Sequence, residues 1–202
     1  FCGCFRLTSI VIPDSVKEIG DKAFSNCSKM TSITIPGSVE ALGANIFSKC
    51  YNLLEITIVG DGENLKMVDG VLFDKEMTRL ISCSREKSGR YEIPNTVKII
   101  DSYAFYRCKK LTSITVPDTI TEIAKSAFSG CSELEVFVIP DSVTSIKSGA
   151  FAGCEALKSI VIPNSVTFIG DQAFCFCTSL TSIVIPDLAL PLMKELFLVA
   201  RT

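Results

Sequence analysis

Apolar and polar residues alternate in short stretches that recur along the whole chain. In the first stretch, Ile10 and Ile12 alternate with Ser9 and Val11, and Pro13 follows. Alternation with a period of two is typical of a β-strand with one buried face, so the two isoleucines are predicted to point inward. Proline cannot donate a backbone hydrogen bond to a neighbouring strand, so Pro13 is predicted to end this one.

This stretch belongs to a unit that returns every 23 residues. Each unit opens with an apolar residue, continues through the strand and a second short apolar segment, and ends in an Ala-Phe-like pair followed by Cys. Units begin at Leu7, Met30, Leu53, Ser88, Leu111, Leu134, Leu157 and Leu180. A fixed period of this length indicates a solenoid, in which each unit buries its apolar face only against its neighbours.

The repeat predicts a single domain over residues 1–202. We expect an α/β solenoid of about eight coils, wound as a right-handed superhelix with a parallel β-sheet on its concave face. The segment that holds Ala23, Phe24 and Cys27 is expected to face inward from a short helical turn. Residues 1–6 match the tail of a preceding unit, and residues 180–202 form a degenerate terminal unit.

Residues 53–87 form one extended unit, with 35 residues instead of 23. Two apolar runs flank the polar loop 74–78, and Asp69-Gly70 is typical of a turn, so the additional residues are predicted to form a β-hairpin. Because the next unit is back in phase, we expect this hairpin to loop out without breaking the stack. Residues 61–92 hold 13 charged groups. The charge makes the insert a candidate binding edge, or it serves only solubility and protection of an exposed edge.

Two residue types recur along the chain, each at its own inward position of the unit. Phenylalanine predicts an internal row of rings, one per coil except the extended one, at Phe1, Phe24, Phe47, Phe105, Phe128, Phe151, Phe174 and Phe197. Seven of the ten cysteines form a second row at Cys4, Cys27, Cys50, Cys108, Cys131, Cys154 and Cys177.

The cysteine row is compatible with disulfides, with a metal site or with buried thiols. Equivalent side chains of stacked coils point the same way rather than at each other, which disfavours disulfides. We therefore interpret the row as free thiols that pack as small apolar residues. Cys2 and Cys175 lie at an outward position, and Cys83 lies in the hairpin, so these three are expected to be at least partly exposed.

The composition argues against several functions. The chain contains no His, which removes Ser-His-Asp and Cys-His catalysis and His-ligated zinc. Its net charge of −2 provides no basic surface for nucleic acid or anionic membranes. No apolar run is long enough to span a bilayer. The acidic turn at residues 61–64 lacks the ligand pattern of a calcium loop. We expect no enzyme, no cofactor and no bound metal.

The unit Leu-x-x-Ile-x-Ile-Pro-Asp-Ser-Val-x-x-Ile-Gly-x-x-Ala-Phe-x-x-Cys resembles the BspA-type leucine-rich repeats of bacterial and protist surface proteins. The insert, with Val68 to Phe73 followed by Leu80-Ile81, is similar to a unit common in that family. The resemblance covers nearly the whole chain except the residues after Pro186. It implies secretion or surface display, adhesion, and binding of host matrix or cell-surface proteins such as fibronectin and fibrinogen. It defines no ligand residue that can be carried over.

Two surfaces are candidates for protein binding. The first is the outward side of the predicted sheet, which is nearly uncharged and carries small hydroxyls and valines at Ser9, Val11, Ser32, Thr34, Glu55, Thr57, Ser113, Thr115, Val136, Val138, Ser159, Val161, Ser182 and Val184. The second is the insert, through Lys75, Arg79 and Arg85. Residues that favour β-structure on a solvated sheet would explain the first set equally well.

The alternative function is a structural spacer or intracellular scaffold, in which the solenoid only sets the distance between flanking modules. Free buried thiols are compatible with a reducing compartment. A signal peptide or anchor in the complete protein would favour adhesion.

Overall fold

The computed structural model describes residues 1–60 and 64–184. Its strands are β1 (Ser9–Val11), β2 (Glu18–Ile19), β3 (Ser32–Pro36), β4 (Ala41–Leu42), β5 (Glu55–Val59), β6 (Leu65–Val68), β7 (Val71–Asp74), β8 (Arg79–Cys83), β9 (Gly89–Glu92), β10 (Ile99–Ile100), β11 (Leu111–Thr115), β12 (Glu122–Ile123), β13 (Val136–Phe137), β14 (Ser145–Ile146), β15 (Ser159–Val161), β16 (Phe168–Ile169) and β17 (Ser182–Val184). Most of the degenerate terminal unit, with Phe197, lies outside the described residues.

The first strand of each coil builds a parallel row along the solenoid. It consists of three sheets, β1-β3-β5, β9-β11-β13 and β15-β17. Partners are equivalent residues of successive coils, as Ser9 pairs with Ser32 and Ser32 with Glu55. This register follows from the 23-residue period and confirms the predicted stacking of coils.

A second parallel row is formed by the short strand that follows in each coil. It contains β2-β4 and β12-β14-β16, and β10 pairs with β8 from the insert. The inward residues of this row, such as Ile19 and Ile123, are buried. Two parallel rows with their apolar sides turned toward each other enclose the core.

The α/β assignment is wrong, because the described residues contain turns and no helix. In the segment predicted as helical, Lys22 and Asn26 have left-handed backbone angles, with φ of 54° and 63°. Residues in that conformation interrupt an α-helix. The N–H groups instead bind the next coil, as Phe24 donates to the Ile46 carbonyl at 3.1 Å. The turns thus form a third hydrogen-bonded row, and the part of the solenoid that the structure describes consists of β-strands, turns and connecting segments.

The predicted row of phenylalanines is present and divided in two, but Phe1 at its end is 65% exposed rather than internal. Phe24 stacks between Phe1 and Phe47, with ring centroids 5.5 and 6.3 Å away. A second row runs through Phe105, Phe128, Phe151 and Phe174, with spacings of 5.1, 5.6 and 5.3 Å. The apolar core divides at the same point into an N-terminal and a C-terminal cluster.

The insert does not loop out, and it does break the stack, so that expectation is wrong. Strands β7 and β8 form the predicted hairpin and β6 adds a third antiparallel strand, but β8 also pairs in parallel with β10. Successive residues of β7 and β8 face opposite clusters. Leu72 and Ile81 pack into the N-terminal cluster, whereas Phe73 and Leu80 pack into the C-terminal one. The insert is therefore a buried layer between two blocks of coils.

Candidate functional site

The outward side of the first strand row, which we call the strand face, is continuous over each sheet. None of its fourteen predicted residues is buried. Hydrogen-bonded register aligns them, since Val11 pairs with Thr34 and Val161 with Val184. The structure thus gathers these residues on one side, as the alternating pattern predicts.

The C-terminal end of the strand face is apolar. Val138 is 69% exposed and Val161 62%, and Val136 and Val184 are also exposed. We call these four residues the valine stripe. A shallow groove of about 420 Å³ lies between the segments of β13 and β15, lined by three of these valines and by Pro163. Exposed apolar side chains that share one face of a protein are typical of contact sites for partner proteins.

Two residues of the strand face were not among the fourteen that the sequence predicted. Arg90 pairs with Ser113 and Glu92 with Thr115 in the register of β9 and β11, and both side chains are exposed. They had been counted with the charges of the insert. Their spacing of 23 residues from Ser113 and Thr115 is the signal that identifies them.

The three cations predicted to bind through the insert have different environments. Lys75 is exposed on the loop between β7 and β8. Arg85 is half-buried, and its guanidinium donates to the Cys50 carbonyl at 2.7 Å. Arg79 points into the solenoid, where its side chain is only 18% exposed. The structure therefore does not bring these residues together on one edge.

Arg79 joins the two blocks. Its Nε and Nη2 donate to the carboxylate of Asp101 at 2.8 and 2.7 Å, and Asp101 is 6% exposed. Its Nη1 and Nη2 also donate to the carbonyls of Leu42 and Gly43, at 2.8 and 2.6 Å. The hydrogen bonds that Arg79 donates to Asp101 raise the pKa of Arg79. Four of the five N–H donors of the guanidinium are used within the protein, which leaves it little capacity for an external partner.

A second depression lies where the insert interrupts the strand face. Strand β5 pairs only with β3, and β9 only with β11, among the described strands. A cleft of about 180 Å³ beside β5 is lined by Leu54, Ile56 and Met67. The cleft adds an apolar pocket to the strand face near its middle.

The buried members of the cysteine row make a repeated contact that the sequence did not predict. The thiols of Cys50 and Cys131 donate to the carbonyls of the phenylalanines one coil earlier, at 3.0 and 3.2 Å. Burial raises the pKa of Cys50 to about 12 and that of Cys177 to about 11. These thiols remain protonated at neutral pH, which disfavours thiolate chemistry and metal ligation.

The exposure of the remaining cysteines agrees only in part with the prediction. All ten are free. Cys2 is exposed and Cys175 half-exposed, as predicted, but Cys83 is buried, because β8 lies inside the stack. Cys4, which belongs to the cysteine row by its position in the repeat, is exposed because no described coil covers it from the N-terminal side.

The described residues contain no group of three or more potential metal ligands. Within the same part of the chain, no helix has the length and hydropathy needed to cross a membrane.

Comparison with known proteins identifies the repeat. The model of the BspA-type leucine-rich repeat region matches residues 1–86 and 83–198, with six copies. No curated protein sequence matches the chain.

Several solved structures share the fold. The pneumococcal vaccine antigen PcpA is 28% identical with a TM-score of 0.75, over 91% of this chain and 52% of that one. A leucine-rich cell surface protein of Faecalibacterium prausnitzii is 29% identical with a TM-score of 0.67, over 94% of this chain and 63% of that one. A leucine-rich repeat protein of Eubacterium ventriosum is 29% identical, with a TM-score of 0.68, over 89% and 55%. The chain spans between about half and two thirds of these proteins. It belongs to the BspA-type leucine-rich repeat family.

Proposed function

We propose that this chain is a non-enzymatic protein-binding segment of a surface or secreted protein, and that it binds its partner through the strand face. The proposed partner is an extracellular matrix or host cell-surface protein. Two of the similar structures are named as a vaccine antigen and as a cell surface protein, which supports a surface location.

The observation that carries the proposal is the valine stripe. Val138, Val161 and Val184 occupy the same position in three successive coils, and all are exposed. Burying one such side chain contributes about 1.5 kcal/mol or more, so a partner covering several of them gains affinity without any charged contact. An extended flat surface of this kind fits a protein rather than a small molecule, which requires an enclosed pocket.

The hydroxyl-rich N-terminal end of the strand face complements this apolar end. Ser32 and Thr34 of β3 lie half-exposed beside Glu55 and Thr57 of β5. Hydroxyls at the rim of an apolar contact supply hydrogen bonds that fix its register. A protein that lies along the solenoid axis would contact both ends.

The test is direct binding of purified variants to immobilised fibronectin and fibrinogen, measured by biolayer interferometry. The variant Val138→Glu/Val161→Glu is expected to raise Kd about 100-fold, because two apolar contacts of about 1.5 kcal/mol each are lost. The matched control is Ile99→Glu, an exposed apolar residue of the second strand row. It is expected to leave Kd unchanged, and thermal unfolding checks that each variant is folded.

Two outcomes contradict the proposal. Equal loss of affinity in the control and the strand-face variant would mean that binding does not use the strand face. Absence of binding to any matrix or host surface protein by the folded chain would favour the spacer function.

A further inference from the structure

Three of the four tyrosines of the chain meet on the turn side of the coils, away from the strand face. Tyr51 lies 5.1 Å from Tyr106 and 6.5 Å from Tyr103 between ring centroids, and Tyr103 lies 5.7 Å from Tyr106. Each ring is half-buried. Tyr51 belongs to the N-terminal block and the other two to the C-terminal block, so the cluster forms only because the insert places the two blocks side by side.

Repeat packing does not account for these rings. At the position of Tyr106 the other coils have Ser25, Ser48, Ser129, Ala152 and Cys175. At the position of Tyr51 they have Phe5, Ser28, Lys109, Ser132, Glu155 and Thr178. Apart from Phe5, the residues at these positions are small or polar, so stacking of the coils does not require the tyrosine rings.

Two arginines lie against the same cluster. The guanidinium carbons of Arg85 and Arg107 lie 5.9 and 5.5 Å from the centre of the Tyr106 ring. Neither takes part in a salt bridge among the described residues. The carboxylate next to Arg85 in sequence, Glu86, is held by Lys110 at 2.6 Å.

Arg85 is partly buried, so keeping its charge without a carboxylate partner costs free energy. Burial lowers the pKa of Arg85, and the nearby charge of Arg107 lowers it further. Lys49, which is exposed, lines the same small depression as Arg85 and Tyr106. The surface therefore presents three positive charges and three aromatic rings, and none of the three cations forms a salt bridge within residues 1–60 and 64–184.

The shape of this surface determines the kind of ligand. The depression beneath it holds only about 20 Å³, which is room for a water molecule and too little for a small-molecule ligand. A ligand must therefore lie across the rings. Tyrosine and arginine are the residues most enriched at energetic centres of protein interfaces, and guanidinium groups bind carboxylates through paired hydrogen bonds.

We propose that Tyr51, Tyr103, Tyr106, Arg85 and Arg107 form a second binding surface, and that it takes an acidic segment of a partner protein. The carboxylates of that segment bind the two guanidinium groups, and its backbone and apolar atoms lie on the tyrosine rings. None of these five residues belongs to the strand face.

The test uses a hexaglutamate peptide as the probe. Because the chain has no Trp, its intrinsic fluorescence comes from four tyrosines, three of them in this cluster. Titration with hexaglutamate is expected to change tyrosine emission saturably, with an affinity that falls as salt is raised. Hexalysine is expected to cause no saturable change.

Variants locate the site. Arg85→Gln/Arg107→Gln is expected to weaken hexaglutamate binding about tenfold or more. The control Lys29→Gln/Lys158→Gln removes the same net charge from exposed positions elsewhere and is expected to have no effect. Tyr106→Ser introduces the residue of other coils without changing the charge and is expected to weaken binding several-fold. Arg107→Gln alone keeps the test available if loss of the Arg85 hydrogen bond impairs folding.

Three results would overturn the proposal. The first is the absence of saturable binding by the folded chain, and the second is equal weakening in the Lys29/Lys158 control. The third is tighter binding of a heparin hexasaccharide that hexaglutamate cannot displace, which would assign the surface to a sulfated glycan.

Discussion

Replacing Arg79 with Met tests whether the insert holds the two blocks of the solenoid together. Methionine keeps much of the length and apolar stem of arginine but removes its hydrogen bonds. Four contacts are lost, two to the carboxylate of Asp101 and two to the carbonyls of Leu42 and Gly43. Asp101 then keeps only the N–H of Asn45, at 3.4 Å.

The size of the effect follows from the burial of the carboxylate. Asp101 is 6% exposed and cannot be solvated where it lies. Removing one partner of a buried ion pair costs about 3–5 kcal/mol, because the other charge stays buried without compensation. Domains of this kind are stable by only about 5–15 kcal/mol. The variant is therefore expected to lose about a fifth of its stability or more.

The measurement is urea denaturation followed by circular dichroism. The matched control is Lys147→Met, which breaks an ion pair to Glu122 of 3.1 Å whose side chains are 38% and 48% exposed. Exposed pairs contribute about 0–1 kcal/mol, so the control is expected to stay close to the unchanged protein. In Arg79→Met, the weakened junction is also expected to make unfolding less cooperative, since repeat stability depends on contacts between neighbours.

The double variant Arg79→Met/Asp101→Leu separates the charge effect from packing. It is expected to be more stable than Arg79→Met alone, because no buried carboxylate remains. A loss below about 1 kcal/mol in Arg79→Met, equal to that of the control, would refute the role given to Arg79.

Three further predictions concern the coils themselves. Phe128→Ala should lower the free energy of unfolding by about 3–5 kcal/mol in chemical denaturation, because this fully buried ring stacks on both neighbouring coils. Gly43→Ala should destabilise by about 1–3 kcal/mol, because its new Cβ would lie 2.2 Å from backbone of the preceding coil. Gly20→Ala, at the same repeat position but in open space, should melt at nearly the unchanged temperature. Raising the pH above about 9 should lower stability by about 1.4 kcal/mol per pH unit for each thiol that ionises only in the unfolded chain. Folded pKa values of about 12 for Cys50 and 11 for Cys177 place this loss between pH 9 and 12 for Cys50 and between pH 9 and 11 for Cys177, and urea titrations at several pH values measure it.

The repeat itself could be predicted in detail from the sequence. Ile10, Phe24 and Cys27 were assigned to the interior from their period alone, and the strand-face positions from the alternation around them. Such assignments succeed in a solenoid because each residue contacts only its own coil and the coils next to it. The turn that contains Phe24 was predicted as helical, because its apolar spacing fits one helical turn. In the structure the segment is a turn instead, because residues with left-handed backbone angles such as Asn26 hydrogen-bond to the next coil.

The insert shows what only the tertiary structure decided. The sequence contains a hairpin pattern but no information on which block each side of that hairpin faces. The structure places Arg79 against the carbonyls of Leu42 and Gly43, 37 and 36 residues away, and Asn45 against Ser102, 57 residues away. Contacts at such separations have no counterpart in a 23-residue period, so no repeat rule predicts them. The tyrosine cluster is a product of the same junction, since Tyr51 reaches Tyr106 only when the insert lies between the blocks. The sequence therefore determined the coil and its exposed face. The way in which two blocks of coils are joined depends on packing between distant segments.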